Sequence, residues 1–474
     1  MKVSLCVFRF VFACILLCWP GATASFGQSL ANFTGAWNFT QFSTPAVLTL
    51  ATVNSAVSGT NYVTLQDIQE KTNFMARAVP MTIDSGGNFS GPANGVLAVV
   101  GPGLLQATPS GQTPALFNVN AAEDVAVAVL RPPDSNQQEL MLMLKVPSTL
   151  TASDLTGTWK MVSLGTPLAL QPRLMTNYFD PQHPVEGVSD IDGRYQFDTG
   201  NGTLTVAADG SFTLVFGTDT MNGTATPGAG GLVQVTIPMP PNPTMNLSFY
   251  VNQGKNVMTA VHAETNYQEL LVAVKLPASS HLAGESLGFW RAGSFETPGG
   301  LTLLTNALGF VSDIPEKNNF SVHREKIHIG HTGMFTLPSD QSLGLISIPS
   351  PGTVQISATN AAGESFSNTM WANSSKDFLI TTKTGSTHEV TFVTRAPTDI
   401  QASGGAEFGL ILQKTNQPSV RVDFFWASAA NRMLQTSTNL VDWTDIPETQ
   451  GGFSHRPPMG SFIRAYYRLR QTPP

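Results

Sequence analysis

The chain has 474 residues, of which 42 are glycine and 32 are proline, and charged residues make up only 12% of it. So many residues that interrupt regular structure, with so few charges, exclude a coiled coil, a charged disordered tail and a long polar helix. The formal net charge is −7 and no cluster of Lys or Arg stands out. The composition therefore argues against nucleic acid as a partner.

The first 24 residues have the pattern of a secretory signal peptide. Lys2 and Arg9 supply positive charge, residues 10–19 form an apolar run, and residues 22–24 are a small-x-small cleavage site. The run is too short to span a bilayer, and cleavage would remove all three cysteines. We therefore expect an exported chain, periplasmic, at the cell surface or extracellular, without disulfides and without a transmembrane segment once the signal is removed.

The rest of the chain contains three copies of one unit. Each copy opens with Gly-x-Trp, followed seven residues after the tryptophan by Thr-Pro, and later carries Asp-Ile, a base and a phenylalanine at fixed offsets. A strand-turn-strand segment typical of a β-hairpin follows, and a strand in which Glu precedes a base by six residues closes the unit. The recurring positions are Trp37, Trp159 and Trp290; Asp67, Asp190 and Asp313; Lys71, Arg194 and Lys317; Glu139, Glu269 and Glu389; and Lys145, Lys275 and Arg395.

The pattern between these landmarks is period two, with turn residues every ten or so positions. It predicts about eight short antiparallel strands per unit, and closing the last strand onto the first would remove the exposed sheet edges. We therefore predict an all-β chain of three tandem antiparallel β-barrel-like repeats of about 120 residues. A β-sandwich is the alternative. The predicted repeats span residues 30–148, 152–278 and 284–397.

A Gly-x-Trp segment on the first strand, with a base on the last, resembles the calycin group of lipocalins, avidins and fatty-acid-binding proteins. The resemblance implies an eight-stranded barrel in which a cation lies across the indole at one end. It also implies that a barrel could hold a small apolar ligand. The matching pairs are Trp37 with Lys145, Trp159 with Lys275, and Trp290 with Arg395.

The pattern changes after Pro397. Residues 398–407 are typical of a linker, and residues 408–474 resemble the small terminal β module found at the ends of many large secreted bacterial proteins. That resemblance implies export and a surface or extracellular context, but no chemistry. The matching residues are Leu434, Ser437, Thr438, Leu440 and Trp443, followed by Tyr466, Tyr467, Arg468 and Leu469.

Residues 284–288 read GESLG, a literal match to the nucleophile elbow of serine hydrolases. That motif requires a strand before the serine and a helix after it, whereas a linker-like segment precedes Ser286. The other two copies carry Phe33 and Leu155 in its place. We interpret the match as coincidence, and a secreted hydrolase is the least favoured hypothesis.

Two further patterns suggest metal sites, and neither is complete. His323 and His328 are an odd number of residues apart, so on one strand they would point to opposite faces, and His331 falls in the predicted turn. Asp190-x-Asp192 lacks the distal glutamate of a calcium loop, and the other copies do not repeat it. We predict no metal and no cofactor.

An active site is seldom needed three times, whereas a scaffold is needed in every copy. We therefore interpret the recurring acids and bases as turn-fixing or barrel-end ion pairs, with a triplicated ligand site as the alternative. The sequence predicts a non-enzymatic structural or binding protein of the bacterial cell surface or extracellular space, recognising glycan or protein multivalently. The alternative is a carrier of small apolar ligands, which large cavities would support. Cores filled by Phe89, Phe212 and Phe335 would count against it.

Overall fold

The computed structural model of the protein describes parts of the three predicted repeats and of the predicted C-terminal module. Residues 1–28, including the predicted signal peptide, lie outside the described part. The described residues are 29–45, 50–56, 62–68, 74–101, 103–132, 137–166, 197–264, 267–279, 288–298, 304–305, 311–313, 320–329, 334–337, 342–359, 363, 365–397, 408–414, 420–426, 432–437, 442, 444–447, 454–455 and 466–471.

The first repeat is a closed antiparallel barrel of eight strands, preceded by a short 3-10 helix, Leu30–Phe33. Its first and last strands pair, so the barrel has no free edge. A two-stranded hairpin, β2–β3, lies between the first and second strands of the barrel. The strands are β1 Gly35–Ser43, β2 Leu50–Ala56, β3 Tyr62–Ile68, β4 Met75–Ile83, β5 Asn88–Ser90, β6 Gly95–Gly101, β7 Leu104–Pro109, β8 Ala115–Val119, β9 Val125–Leu130 and β10 Glu139–Lys145.

The second repeat is a closed barrel of the same topology, with a short α-helix, Ala152–Leu155, before it and a 3-10 turn, Ala229–Gly231, between two strands. Its strands are β11 Gly157–Gly165, β12 Asp198–Val206, β13 Ser211–Phe216, β14 Asp219–Pro227, β15 Leu232–Met239, β16 Asn242–Val251, β17 Val257–Glu264 and β18 Tyr267–Lys275.

The third repeat is again a closed eight-stranded barrel, with a small hairpin, β20–β21, at the position of β2–β3. Its strands are β19 Gly288–Pro298, β20 Leu304–Thr305, β21 Val311–Asp313, β22 Ser321–Ile329, β23 Met334–Leu337, β24 Ser342–Ser350, β25 Thr353–Thr359, β26 Ser365–Ala372, β27 Phe378–Lys383 and β28 Thr387–Arg395. The prediction of tandem β-barrels is therefore confirmed, and the sandwich alternative is wrong.

The described parts of residues 408–471, in the predicted C-terminal module, form two three-stranded sheets with strand orders β29–β30–β33 and β32–β31–β34. The strands are β29 Phe408–Lys414, β30 Val420–Trp426, β31 Arg432–Ser437, β32 Thr444–Asp445, β33 Ser454–His455 and β34 Tyr466–Gln471.

We call the end of each barrel that holds Gly-x-Trp the floor, and the opposite end the rim. In the first barrel β1 runs from floor to rim and β10 returns, so that Lys145 lies opposite Trp37 at the floor and Glu139 lies opposite Ser43 at the rim. The same register places Lys275 opposite Trp159 in the second barrel. The long connection that follows the first strand leaves each barrel at the rim.

The three barrels pack around a core that they share. Along β10, Met141 and Met143 point into the first barrel, whereas the alternating Leu140, Leu142 and Leu144 point outward into a cluster contributed by all three barrels. This explains why the closing strands are continuously apolar rather than alternating: both of their faces are buried. Burying one such leucine contributes roughly 2 kcal/mol.

At the floor end, three equivalent turns meet beside the shared core. Each turn begins with an asparagine whose side-chain oxygen accepts hydrogen bonds from the backbone four and five residues on, as Asn120 does from Asp124 and Val125. The third residue after this asparagine has a left-handed φ in every copy. The values are 58° at Glu123, 56° at Lys255 and 58° at Lys376. The three leading asparagines are Asn120, Asn252 and Asn373.

Hydrogen bonds between these turns run around a closed ring. Asp124 of the first barrel accepts from Asn252 and from the Gly254 amide of the second, at 2.8 and 2.7 Å. Asn256 of the second barrel donates to the Ser375 hydroxyl of the third at 2.6 Å. Asp377 of the third barrel accepts a hydrogen bond of 2.9 Å from the Asn120 side chain of the first. The arrangement is a head-to-tail ring closed within one chain.

At the rim end, the phenylalanines that recur in each repeat meet one another. The ring centroids of Phe74 and Phe197 are 5.4 Å apart, those of Phe197 and Phe320 are 5.4 Å apart, and those of Phe74 and Phe320 are 6.2 Å apart. Each of these residues directly precedes the strand that starts at the rim of its barrel. The three rims therefore lie at the same end of the assembly.

Candidate functional site

The interior of the first barrel contains a cavity of about 220 Å³. It runs from the level of Met81, opposite Trp37 near the floor, up to Glu139 and Ala93 at the rim. Most of its wall is apolar, and its side chains come from seven of the eight strands of the barrel, with Phe39 and Leu97 among them. Because methionine is flexible and polarisable, the four methionines in the wall suit an apolar guest of irregular shape.

Polar side chains are confined to the rim of this cavity. The Arg77 guanidinium donates through Nε and Nη2 to the Gln41 side-chain oxygen, at 2.9 and 2.7 Å. Glu139 lies on the neighbouring last strand, and burial raises the pKa of its carboxyl while the Arg77 charge opposes that rise. The side-chain amides of Gln112 and Gln137 complete the polar part of the lining.

Comparison with the second barrel shows why the first barrel can contain a cavity. Counted from the equivalent hairpin phenylalanines, Phe89 and Phe212, the fourth following residue is Ala93 in the first barrel and Phe216 in the second. The Phe216 ring packs inside the second barrel, directly against Gly200, with no room for a Cβ there. The strand that carries it, β13, spans six residues, whereas β5 spans three and ends before Ala93.

The interiors of the two barrels also differ in a second aromatic side chain. Two residues before the closing glutamate, the second barrel has Tyr267, whose ring lies over Gly165, and the first barrel has Gln137. The replacement of Phe216 and Tyr267 by Ala93 and Gln137 removes two large rings from the rim of the first barrel. Both smaller residues line the cavity.

The recurring glutamate occupies the same rim position in all three barrels. Strand register places it in a row of four residues across adjacent strands, which we call the rim row. In the first barrel only the glutamate of this row is ionisable, whereas the second barrel adds an acid and a histidine, and the third adds an acid and a lysine. The rows are Met75, Ser43, Glu139 and Leu130; Asp198, Gly165, Glu269 and His262; and Ser321, Glu296, Glu389 and Lys383.

The environment of this glutamate differs between the barrels. In the second barrel, burial and then the nearby Asp198 charge raise the pKa of Glu269 to about 7, and its Oε2 lies 4.0 Å from His262 Nδ1. In the third barrel, Glu389 accepts a hydrogen bond of 2.8 Å from the Thr391 hydroxyl. The rim row is thus constant in one residue and variable in its neighbours.

The recurring tryptophan and base meet at the floor. Trp37 and Trp159 are fully buried, and their indole nitrogens donate to the carbonyls of Phe33 and Leu155, at 2.7 and 2.8 Å. Lys275 Nζ lies 5.9 Å from the centroid of the Trp159 ring and donates to the Asp154 carbonyl at 2.8 Å.

The first and third barrels also place the recurring base opposite the buried tryptophan at the floor. Lys145 donates to the Asn32 carbonyl at 2.5 Å. In the third barrel, Arg395 lies opposite the buried Trp290. The glycine two residues before each tryptophan has a φ near +125°, a backbone conformation that favours glycine. The values are 124° at Gly35, 129° at Gly157 and 127° at Gly288.

The structure therefore separates the recurring glutamates from the recurring bases of the closing strands. Six residues along a strand span about 20 Å. Glu139, Glu269 and Glu389 lie at the rims, and Lys145, Lys275 and Arg395 lie at the floors.

Several other predicted positions lie outside the described residues. These are Asp190, Lys71, Arg194, Lys317, Ser286 and His331, and for Asp67, Asp313 and His328 only the strand backbone is described. His323 is exposed and its Nε2 lies 2.9 Å from the Ser321 hydroxyl. Among the described residues, no group of three or more His, Asp or Glu side chains is arranged to hold a metal ion. None of the helices in the described part of the chain has the length and apolar character needed to cross a bilayer.

Comparison with known proteins yields structural similarity at a low level only. No family model matches the chain, and no curated protein matches it. Among solved structures it is similar to intact Ap-TbpB with its N and C lobes, at 9% identity over 76% of this chain and 77% of that one, with a TM-score of 0.23. Transferrin-binding protein B from Haemophilus parasuis also gives 9% identity, 76% of each chain and a TM-score of 0.23. That from serogroup B Neisseria meningitidis gives 7%, 76% of each chain and 0.20. TM-scores this low carry no argument about fold or ligand.

Two functional features were missed by sequence reasoning. The three floor turns share an asparagine followed four residues later by Asp124, Asn256 or Asp377, a signal that was present in all three copies. The cavity depends on Ala93, a residue that differs between the repeats, whereas repeats are recognised by the positions that stay the same.

Proposed function

We propose that the protein is an exported, non-enzymatic binding protein whose first barrel holds one small ligand with an apolar body. The observation that carries this proposal is the cavity of about 220 Å³ in that barrel, which exists where Ala93 replaces the large ring found in the second barrel. Allowing roughly 30 Å³ for each water-sized group, the cavity has room for about seven such groups. An alkyl chain of about seven or eight carbons fills that volume, with its polar head at the open rim.

The other two barrels support a scaffold role in the same chain. The hairpin phenylalanines Phe212 and Phe335 are buried and pack over Gly223 and Gly344, as Phe89 does over Gly95, so the difference in the second barrel is the Phe216 ring against Gly200. The shared core and the ring of floor turns join all three barrels. In this proposal the second and third barrels hold the first in place and keep its rim accessible at one end of the assembly.

Titration calorimetry of the mature protein with 1-octanol tests the proposal. Wild-type protein should bind one equivalent. Ala93→Phe, which restores the residue type of the second barrel, should weaken binding by about tenfold or more because the ring fills the cavity. Val96→Phe is the matched control, since it adds the same ring at an outward position that is 50% exposed, and it should bind as the wild type does. Absence of octanol binding by the wild type, or unchanged binding by Ala93→Phe, would contradict the proposal.

A second candidate function is multivalent recognition of a glycan or protein by the three rims together. The observation that favours it is that the three rims lie at one end of the assembly, joined by the contact of Phe74, Phe197 and Phe320. Three sites at one end could engage a repeating partner with a combined strength greater than that of any single site. A glycan and surface-protein array probed with the intact mature protein tests it, and the absence of any captured signal would exclude it.

A further inference from the structure

We infer that the first barrel selects amphiphiles with an uncharged polar head, such as a primary alcohol or a primary amide, over carboxylates and amines with the same chain. The inference rests on the proposed function, because it requires that the cavity of the first barrel holds the apolar body of the ligand. It adds the chemical class of the head group.

The position of the polar groups fixes the orientation of the ligand. Towards the floor the wall is apolar, with Phe39, Met81 and Met143 among its residues, and burying a polar head there without a partner would be unfavourable. At the rim the wall contains Arg77, Gln41 and Glu139. The alkyl chain therefore extends towards the floor, and the head lies at the rim.

The guanidinium of Arg77 is already engaged at its Nε/Nη2 edge, one of the edges that can hold a carboxylate. Both Nε and Nη2 donate to the single side-chain oxygen of Gln41, so the edge of the guanidinium that could pair with the two oxygens of a carboxylate is occupied. Gln41 is 95% buried on this strand, with a relative exposure of 5%. A carboxylate head would have to displace that amide to gain the same bonds.

The charges at the rim already compensate each other. Arg77 and Glu139 lie on the two strands that flank β1 and line the same cavity, close enough for the Arg77 charge to act on the Glu139 carboxyl, and Glu139 is the ionisable residue of its rim row. An anionic head would meet Glu139, an ammonium head would meet Arg77, and either would add an unbalanced charge to a partly buried site. A hydroxyl or amide head adds no charge.

The remaining polar groups suit a head that both donates and accepts hydrogen bonds. The rim presents three side-chain amides, those of Gln41, Gln112 and Gln137, and each amide carries donor and acceptor atoms. A primary alcohol or primary amide can use both kinds of atom. A carboxylate offers acceptors only, and an ammonium group offers donors only.

Calorimetry with four probes of one chain length tests the inference: 1-octanol, octanamide, sodium octanoate and octylammonium chloride. At about pH 7.5, where both charged probes are ionised, the alcohol and the amide should each bind about tenfold more tightly than either charged probe. Octanoate or octylammonium binding as tightly as octanol would overturn the inference while leaving the proposed function intact. If none of the four probes binds, the proposed function itself fails.

Two variants assign the selectivity to the rim charges. Glu139→Gln leaves Arg77 uncompensated, so the ratio of octanoate affinity to octanol affinity should rise by about tenfold. Arg77→Met leaves Glu139 uncompensated, so the affinity for octylammonium should rise instead. Equal changes for all four probes would overturn the assignment to charge. The comparison of four probes on the wild type decides the inference even where a variant fails to fold.

Discussion

The Asp377 carboxylate of the third barrel accepts a hydrogen bond of 2.9 Å from the Asn120 side chain of the first barrel, although the two residues are 257 positions apart in the chain. The same carboxylate oxygen also accepts from the Ala122 amide at 3.0 Å. This contact closes the ring of floor turns, because it joins the last barrel to the first. Together with the shared core, it joins the three repeats into one packed body.

Asp377→Ala should therefore destabilise the whole assembly. The variant leaves the Asn120 side chain and the Ala122 amide without this acceptor in a buried position, at a cost of about 3 kcal/mol in the free energy of unfolding. Urea unfolding followed by tryptophan fluorescence measures the change. Asp209→Ala is the control, since Asp209 lies in an exposed hairpin turn and bonds only locally to Ser211. Equal stability of Asp377→Ala and the wild type would show that the ring does not hold the barrels together.

Lys275→Met should weaken the floor of the second barrel. The methionine keeps most of the apolar stem but loses both the charge near the Trp159 ring and the hydrogen bond to the Asp154 carbonyl. We expect a loss of about 1 to 2 kcal/mol in the free energy of unfolding. Chemical denaturation measures it, and a variant as stable as the wild type would contradict a stabilising role for the cation.

Glu269 should make stability depend on pH. Its pKa in the folded protein is raised to about 7 by burial, above the value of an exposed glutamate. The folded state therefore holds the proton more tightly than the unfolded state, and stability falls as the pH rises from about 4.5 to about 7, by about 3 kcal/mol in all.

Glu269→Gln tests this pH dependence, because glutamine cannot ionise. The variant should lack the fall between those pH values, so that its stability relative to the wild type increases with pH and then levels off above about pH 7. Denaturation curves at a series of pH values measure the difference. A constant difference between variant and wild type across the series would contradict the raised pKa.

Phe216→Ala should give the second barrel a cavity of its own. Removing the ring that packs against Gly200 should cost about 3 kcal/mol of stability, since it leaves a space in a packed interior. We expect calorimetry to detect a second equivalent of 1-octanol in this variant. One equivalent only, in a folded variant, would show that more than this residue separates the two barrels.

Much of the fold could be predicted from the sequence, because a triplicated chain reports its own landmarks. The recurring tryptophans and the closing strands indicated barrels whose last strand returns to the first, and the pairing of Trp37 with Lys145 has that register. The shared core was not predicted. Leu140 and Met141 are adjacent and both apolar, and the sequence of one strand does not reveal that its two faces are buried by different partners.

The candidate site was harder to predict for a physical reason. Phe89, Phe212 and Phe335 are equivalent in sequence and all three are buried, so they suggested the same packed interior in each barrel. Whether space remains depends on the neighbouring rings. Ala93 and Phe216 stand at the same offset from these phenylalanines in the sequence and differ by a whole side chain, and that difference becomes meaningful only when the interior is seen.

The central claim is that the first barrel, and not the second, holds an apolar ligand. The most direct measurement is a crystal structure of the mature protein with 8-bromo-1-octanol, located by the anomalous signal of bromine. The account predicts a bromine peak inside the first barrel on the floor side of Ala93, near Met81, and no peak inside the second barrel. Bromine peaks found only outside the barrels, or inside the second barrel and not the first, would contradict it.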